Sequence, residues 1–236
     1  MARKAPRKGT RPASAQKPAT TASDRDKIIA AFLALLAEQR FEEIGFADIA
    51  ARARVSLAQL RGEFSSTLSI VAAHMKAIDR AVLATDMRDM EEEPARERLF
   101  DVLMRRLDEL APHRDAVRSL IRSARRDPPL AIALNTLAVR SQQWMLTAAG
   151  IKASGPRGMV RAQGLAFLFA SVLRTWIDDE DENHARTLAA LDRALARGQR
   201  FVGFIDDLCY IPSRICRLRS RRRRRYDDSE EQATAG

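Results

Sequence analysis

The spacing of apolar and polar positions is helical over most of the chain. Apolar side chains recur three or four positions apart from Ile28 to Leu36. They follow Ser23, a residue type that favours the start of a helix, with Asp26 three places further on. This pattern predicts a first helix from Ser23 to near Arg40. No alternating strand pattern and no Asn-Gly or Asp-Gly hairpin signal is present in the sequence, so the predicted fold class is all-α.

Two short helices and a longer one are predicted next. Phe46 opens a two-turn helix with small apolar positions, a tight turn follows at Val55 and Ser56, and Ser56 caps a second short helix, Leu57–Glu63. Ser65 or Ser66 then caps a helix over about 68–86. The inner face of that helix is predicted to carry Ile70, Val71, Met75, Ile78 and Leu83.

Prolines and glycines mark the helices of the rest of the chain. Pro94, Pro112 and the pair at 128–129 suit first turns, which predicts helices over about 94–110, 112–125 and 129–148. Residues 150–158 form the clearest loop, and two more helices are expected over 158–177 and 182–208. The first of these is apolar on more than one face, so it needs more than one packing partner. We therefore expect these two helices to form the interface of a homodimer.

The composition is that of a globular protein and not of an enzyme with a recognisable catalytic motif. Of 236 residues, 46% are apolar, yet no uninterrupted apolar run is long enough to span a membrane and no secretory signal is present, so we expect a cytoplasmic protein. Cys209 and Cys216 are interpreted as reduced thiols. The three histidines lack partners at metal-ligand spacing and are interpreted as ordinary surface or satisfied side chains. No metal, cofactor or catalytic residue is predicted.

The net charge of +10 lies in two tails. Residues 1–20 carry six basic side chains and no acid, and residues 214–225 carry eight arginines, whereas the body between them is formally neutral. Flexible basic arms of this kind suit a polyanion, with nucleic acid the leading candidate. The predicted organisation is a disordered basic arm (1–22), a first helical domain with its connecting helix (23–82), a second helical domain (83–210), and a disordered Arg-rich tail (211–236).

Two short helices that meet at a Val-Ser turn fit a helix-turn-helix, in which the second helix enters the DNA major groove. The segment resembles the TetR family of bacterial repressors. The positions that match in order and without gaps are Ile49-Ala50, Ala53, Val55-Ser56, Leu60 and Phe64. The resemblance covers about residues 24–82. It implies a TetR-like fold, with an N-terminal three-helix head in a DNA-binding domain (23–82) and a C-terminal helical domain for effector binding and dimerisation (83–210).

Four positions depart from the family pattern. Arg54 and Ala58 stand where the family usually has glycine, Arg61 where a tyrosine contacts a phosphate, and Thr67 where a lysine does so. The expected DNA contacts are Ser56, Leu57, Ala58, Gln59 and Arg61 of the recognition helix, with Thr67, Arg3, Lys4, Arg7 and Lys8 on phosphates or in the minor groove. Gln59 is predicted to read an adenine through a bidentate pair.

The function implied by the TetR resemblance is a ligand-responsive repressor that binds a palindromic operator as a dimer. Trp144, Met145, Phe167 and Trp176 are candidates for lining an apolar effector pocket. An alternative stays open. The segment Trp176-Ile177-Asp178-Asp179-Glu180, with Thr187 and Leu191-Asp192-Arg193 after it, resembles the coenzyme Q biosynthesis lipid-binding family. That family shares the TetR fold, has a degenerate helix-turn-helix, and binds isoprenoid lipid and partner enzymes instead of DNA.

Overall fold

A computed structural model describes residues 23–85, 90, 92–181 and 183–198. The predicted arm (1–22), the Arg-rich tail (211–236) and both cysteines lie outside the described residues. Within them, all regular structure is helical, which confirms the all-α class. The α-helices are α1 (Asp24–Glu38), α2 (Phe46–Ala53), α3 (Leu57–Glu63), α4 (Thr67–Ala84), α5 (Ala95–Leu110), α6 (Arg114–Ala124), α7 (Pro128–Ala148), α8 (Gly155–Ile177) and α9 (185–198).

The head comprises α1 to α3 and the start of α4, and serine residues cap α1, α3 and α4. Ser23 Oγ accepts the Asp26 amide at 3.2 Å, and Ser66 Oγ accepts the Ser69 amide at 3.1 Å. Phe32, Ile49 and Ile70 are fully buried and form the centre of the head core. The head helices therefore begin where the sequence predicts, because the caps and the apolar periodicity agree.

The body comprises most of α4 together with α5 to α9, around a second apolar core. Leu103, Met145 and Leu191 are fully buried in it, and α7 packs along α8. A buried ion pair joins Arg106 of α5 to Asp79 of α4, and Ser141 of α7 donates to Asp79 Oδ1 at 2.7 Å. The part of the chain that the structure describes has no helix that is both long and apolar enough to cross a membrane.

Helix α6 connects the head to the body. Ser119 Oγ donates to the Gln39 carbonyl at the end of α1 at 2.8 Å, and the Phe41 amide donates to Ser123 Oγ at 3.2 Å. At the other end of α6, Arg114 donates to the carbonyl of Trp176 in the last turn of α8 and to that of Asp179 just after the helix. Helix α6 is therefore hydrogen-bonded both to the end of α1 and to the end of α8.

The predicted start of α8 was wrong. Residues 155–158 were expected in a loop, whereas α8 begins at Gly155 with Pro156 in its first turn, where a missing amide donor costs nothing. Gly158 is a packing residue inside the helix. A Cβ at this position would lie 2.1 Å from the Ala153 carbonyl carbon, so the first turn of α8 contacts the preceding loop directly.

The predicted inner face of α4 needs one correction. Leu83 was expected to point inward, but it is 38% exposed, and Val82 is buried instead. Val82 lies four residues after Ile78, so it continues the stripe that Ile70 and Val71 begin, whereas Leu83 is rotated about 100° further round the helix. The helical period decides the face, and leucine at this end of α4 is left at the surface.

Candidate nucleic-acid interface and effector cavity

The turn between α2 and α3 has helix-turn-helix geometry. The Val55 amide donates to the Ala50 carbonyl at 3.0 Å and the Arg54 amide to the Ala51 carbonyl at 3.2 Å, which is a Schellman motif. Arg54 occupies the left-handed position of this motif, with φ 56° and ψ 45°. A glycine is favoured there because it has no Cβ. The turn retains its geometry although the residue with positive φ is an arginine.

The outer surface of α3 is available to a partner. Leu60 is 2% exposed and Phe64, which follows α3, is 4% exposed, and these two side chains anchor α3 to the head core. The predicted DNA-contact residues of this segment all lie on the exposed side: Ser56, Leu57, Ala58, Gln59 and Arg61. Leu57 is 57% exposed on this side.

Both ends of the Gln59 amide are occupied within the head. Its Oε1 accepts the Ser56 amide at 2.8 Å, and its Nε2 donates to Asp24 Oδ2 on α1 at 2.9 Å. The backbone amide of Gln59 donates to Ser56 Oγ at 3.1 Å, which completes a capping box. The spacing Ser-x-x-Gln carries this signal in the sequence, but the prediction used Gln59 only as a base reader. In this arrangement each end of the side-chain amide keeps one further hydrogen-bonding position.

Ion pairs neutralise much of the positive charge of the head. Arg52 makes a bidentate pair with Glu38 at 2.9 and 2.7 Å, and Arg25 lies 3.5 Å from Glu63 and 4.7 Å from the Phe64 ring centre. Lys27 donates to Asp24 at 2.8 Å, and this contact together with the Gln59 bond holds the pKa of Asp24 below its usual value.

Two cations remain for an external anion on this face. Arg54 and Arg61 are exposed, and neither forms an ion pair with another described residue. Thr67 is half-buried at the first position of α4, a helix N-terminus that can bind phosphate. The predicted arm contacts Arg3, Lys4, Arg7 and Lys8 lie outside the described residues.

A cavity of about 380 Å³ lies where the head meets the body. Its walls include Phe32 and Leu36 of α1, Leu120 of α6 and Phe169 of α8. Its volume and apolar character are those of a small-molecule site. Because α1 supplies part of the wall, a molecule in this cavity would contact the head directly.

The four candidate pocket residues have separate locations. Phe167 lines the cavity and is 65% exposed at its rim. Met145 and Trp176 are buried in the body core and do not line the cavity, and Trp144 is 59% exposed beside an open surface depression near the α7–α8 loop. Apolar periodicity does not distinguish a core residue from a cavity wall, so the sequence could not separate these roles.

Sequence reasoning missed the polar end of this cavity. His74, Arg106 and Gln142 line it, and each has a buried polar atom with no hydrogen-bond partner among the described residues: His74 Nε2, Arg106 Nε and Gln142 Oε1. We call these three residues the polar floor. Burial, with repulsion from His113 and Arg106, lowers the pKa of His74 to about 4. The interpretation of His74 as an ordinary satisfied histidine was therefore wrong.

The chain resembles known proteins in its three-dimensional structure. No protein-family model and no curated protein sequence matches the chain. It is similar to the TetR transcriptional regulator from Nitrosomonas europaea, with a TM-score of 0.58 and 26% identity over 74% of this chain and 97% of that chain. A TetR transcriptional regulator from a Rhodococcus species aligns with a TM-score of 0.49 and 20% identity, over 73% of this chain and 96% of that one. The chain has the TetR fold.

Proposed function

We propose that the chain is a DNA-binding transcriptional regulator, a repressor that binds a palindromic operator as a homodimer and releases it when an effector occupies the cavity. The observation that carries this proposal is the intact α2–α3 turn, which leaves the outer side of α3 exposed with Arg54 and Arg61 unpaired among the described residues. The similarity to the Nitrosomonas europaea regulator supports it. Because the protein with the similar fold is a transcriptional regulator, the similarity also supports a function of this chain that does not involve catalysis.

The proposed DNA contacts follow from these positions. The N-terminal end of α3 enters the major groove, so Ser56, Leu57 and Ala58 meet base edges and Arg61 meets a phosphate. Thr67 at the start of α4 meets a second phosphate. Because Gln59 already holds Ser56 and Asp24, we assign it mainly to positioning α3.

The basic arm supplies charge that the folded head lacks. Residues 1–20 contain six basic side chains and no acidic one. Arg3, Lys4, Arg7 and Lys8 are four of the six. Contacts from this arm to phosphates or to the minor groove release counterions, so they strengthen binding and make it depend on salt. The arm contributes affinity, and α3 contributes sequence preference.

The proposed dimer uses α8 and α9. Val160 and Phe167 lie on the outer face of α8 and are 51% and 65% exposed, while Gly164 between them has open space where a Cβ would be. Pairing this face with its symmetry mate forms a four-helix bundle and places two α3 helices on the half-sites of a palindrome. Sedimentation equilibrium at micromolar concentration tests this directly, and a monomeric mass contradicts it.

An effector in the cavity can act on the head through two described contacts. It would press on Phe32 and Leu36 of α1, and on α6, whose Ser119 holds the end of α1. An effector that fits the cavity better in one head arrangement shifts the population toward that arrangement. Operator affinity then falls by the coupling free energy.

The cavity also supports the second candidate, a TetR-fold lipid-binding protein that assists coenzyme Q biosynthesis without binding DNA. Its apolar walls suit an isoprenoid chain as well as an effector. Native mass spectrometry of protein purified from its own host separates the two. A co-purifying isoprenoid together with no enrichment of DNA supports the lipid-binding function.

The repressor is tested with DNA from around its own gene. Arg61→Ala should weaken specific binding, and removal of residues 2–20 should weaken specific and non-specific binding together and reduce the salt dependence. The matched control is Arg122→Ala, an exposed arginine on α6 away from α3. If Arg61→Ala leaves specific binding unchanged while arm removal abolishes it, the assignment of α3 as the reading helix is wrong.

A further inference from the structure

We propose that the molecule recognised by the cavity is an uncharged alcohol or phenol, whose hydroxyl group binds the polar floor and whose apolar body packs against α1. This inference rests on the proposed effector site and assigns it a chemical class. It starts from the three buried polar atoms that have no partner among the described residues.

Unpartnered polar atoms at this depth are unusual in a protein interior. Gln142 is 1% exposed and Arg106 is 3% exposed, yet Gln142 Oε1 and Arg106 Nε form no hydrogen bond with any described residue. Leaving such atoms without a partner is costly, so native interiors rarely do it. Three residues that line the same cavity each carry such an atom, and we infer that the missing partner is a bound molecule.

The charge balance of the polar floor disfavours an ionised group. The guanidinium of Arg106 is already paired with the Asp79 carboxylate, which also accepts a bond from Ser141 at 2.7 Å. His74 is neutral above about pH 4. A carboxylate or an ammonium at this place would lose its hydration without gaining a counter-ion, and that loss is large in a buried site.

The donors and acceptors of the polar floor are best matched by a hydroxyl group on the ligand. The Arg106 Nε–H can only donate, so the ligand must offer an acceptor. The Gln142 amide and the neutral His74 imidazole each carry both a donor and an acceptor. An O–H group can accept from Arg106 and donate to Gln142 through one oxygen atom. An ether or ketone can only accept, so it leaves the Gln142 acceptor without a partner.

The rest of the cavity suits an apolar body. Phe32 and Leu36 of α1 and Leu120 of α6 face it, and Phe169 lies beside the floor with its ring 5.5 Å from the Arg106 guanidinium carbon. Arg125, Arg174 and Phe167 lie at the exposed rim. We infer that a ligand whose hydroxyl group binds the floor packs its apolar part against Phe32 and Leu36 of the head.

Calorimetric titration of the full chain, without DNA, tests the proposal with three probes of one shape: 2-naphthol, 2-methoxynaphthalene and 2-naphthoate. The expected result is that 2-naphthol binds roughly tenfold more tightly than the ether, because the ether leaves a buried acceptor unpaired. The naphthoate should bind more weakly still. Gln142→Leu should reduce the affinity for 2-naphthol to that for the ether.

The matched control is Gln143→Leu, the same change one position along α7 at a residue that does not line this cavity. It should leave the preference for 2-naphthol unchanged. No heat from 2-naphthol, equal affinity for the ether, or a preference that survives Gln142→Leu overturns the proposal. Tighter binding of 2-naphthoate also overturns it and assigns an anionic ligand to Arg125 and Arg174. Operator binding is measured separately, so failure here is distinguishable from failure of the repressor proposal.

Discussion

The Gln59 side chain of α3 donates a hydrogen bond to Asp24 of α1 at 2.9 Å, across 35 positions of sequence. This bond fixes the N-terminal end of α3 to the first turn of α1, at the place where α3 is proposed to meet DNA. The same amide caps α3 through the Ser56 backbone. The orientation of the proposed reading helix therefore depends on Gln59, whose side chain is hydrogen-bonded within the head.

Gln59→Ala is expected to act on stability before it acts on base recognition. Loss of the capping bond should lower the free energy of unfolding by about 1 kcal/mol, measured by urea denaturation. Arg61→Ala, on the same helix and with no ion pair among the described residues, is the control and should change stability by less than about 0.5 kcal/mol. Unchanged stability of Gln59→Ala, combined with loss of one base preference, would instead identify Gln59 as a base reader.

Arg54 stores backbone strain in the helix-turn-helix. Its left-handed φ of 56° disfavours residues with a Cβ, so Arg54→Gly should raise the free energy of unfolding by up to about 1 kcal/mol. Arg54→Val should lower it by about 1–2 kcal/mol, because a β-branched residue tolerates this region least. Arg54→Asn, which tolerates it, is the control. Thermal unfolding of the four proteins should rank Gly first and Val last.

The buried pair between Arg106 and Asp79 should show strong coupling. Asp79→Ala leaves the Arg106 charge without its partner in the body core, and a loss of about 3–5 kcal/mol is expected. The double variant Asp79→Leu with Arg106→Met removes both charges and should recover most of that loss. Urea denaturation of the single and double variants checks this. Equal losses in the two proteins would show that packing, and not the charge, is responsible.

His74 should make stability depend on pH. Its pKa is lowered from 6.5 to about 4, so between these values the unfolded chain binds a proton that the folded chain does not. The free energy of unfolding should therefore fall as the pH drops from 6.5 to 4. His74→Leu should flatten that part of the profile more than His113→Leu, although burial lowers the pKa of His113 as well. An unaltered profile in His74→Leu contradicts the burial of a neutral imidazole.

Much of the head was predictable because local signals and packing agree there. Ser23 and Ser56 cap helices at the positions where the sequence places them, and the Val55-Ser56 turn has the expected spacing. The internal role of Gln59 depends on Asp24, which is distant in sequence, although its capping bond has a local signature. The polar floor could not be predicted because His74, Arg106 and Gln142 come from three different helices. Only their packing shows that they share one cavity.

The proposed dimer face of α8 gives a prediction with a matched control. Val160→Asp places a charge on that face and should shift the mass in sedimentation equilibrium toward the monomer. Ile132→Asp introduces the same charge at a residue of α7 that is 69% exposed, and it should leave the dimer intact. If both variants sediment as the unaltered protein does, α8 is not the interface.

The central claim, that α3 reads DNA, is tested most directly by capture of fragmented genomic DNA on the full chain, followed by footprinting of the captured sites. The account predicts discrete palindromic sites that are lost in Ala58→Asp, which places a carboxylate on the exposed face of α3, and kept in Ala34→Asp, the same change at an exposed residue of α1. Capture without sequence preference, or sites that survive Ala58→Asp, would contradict it.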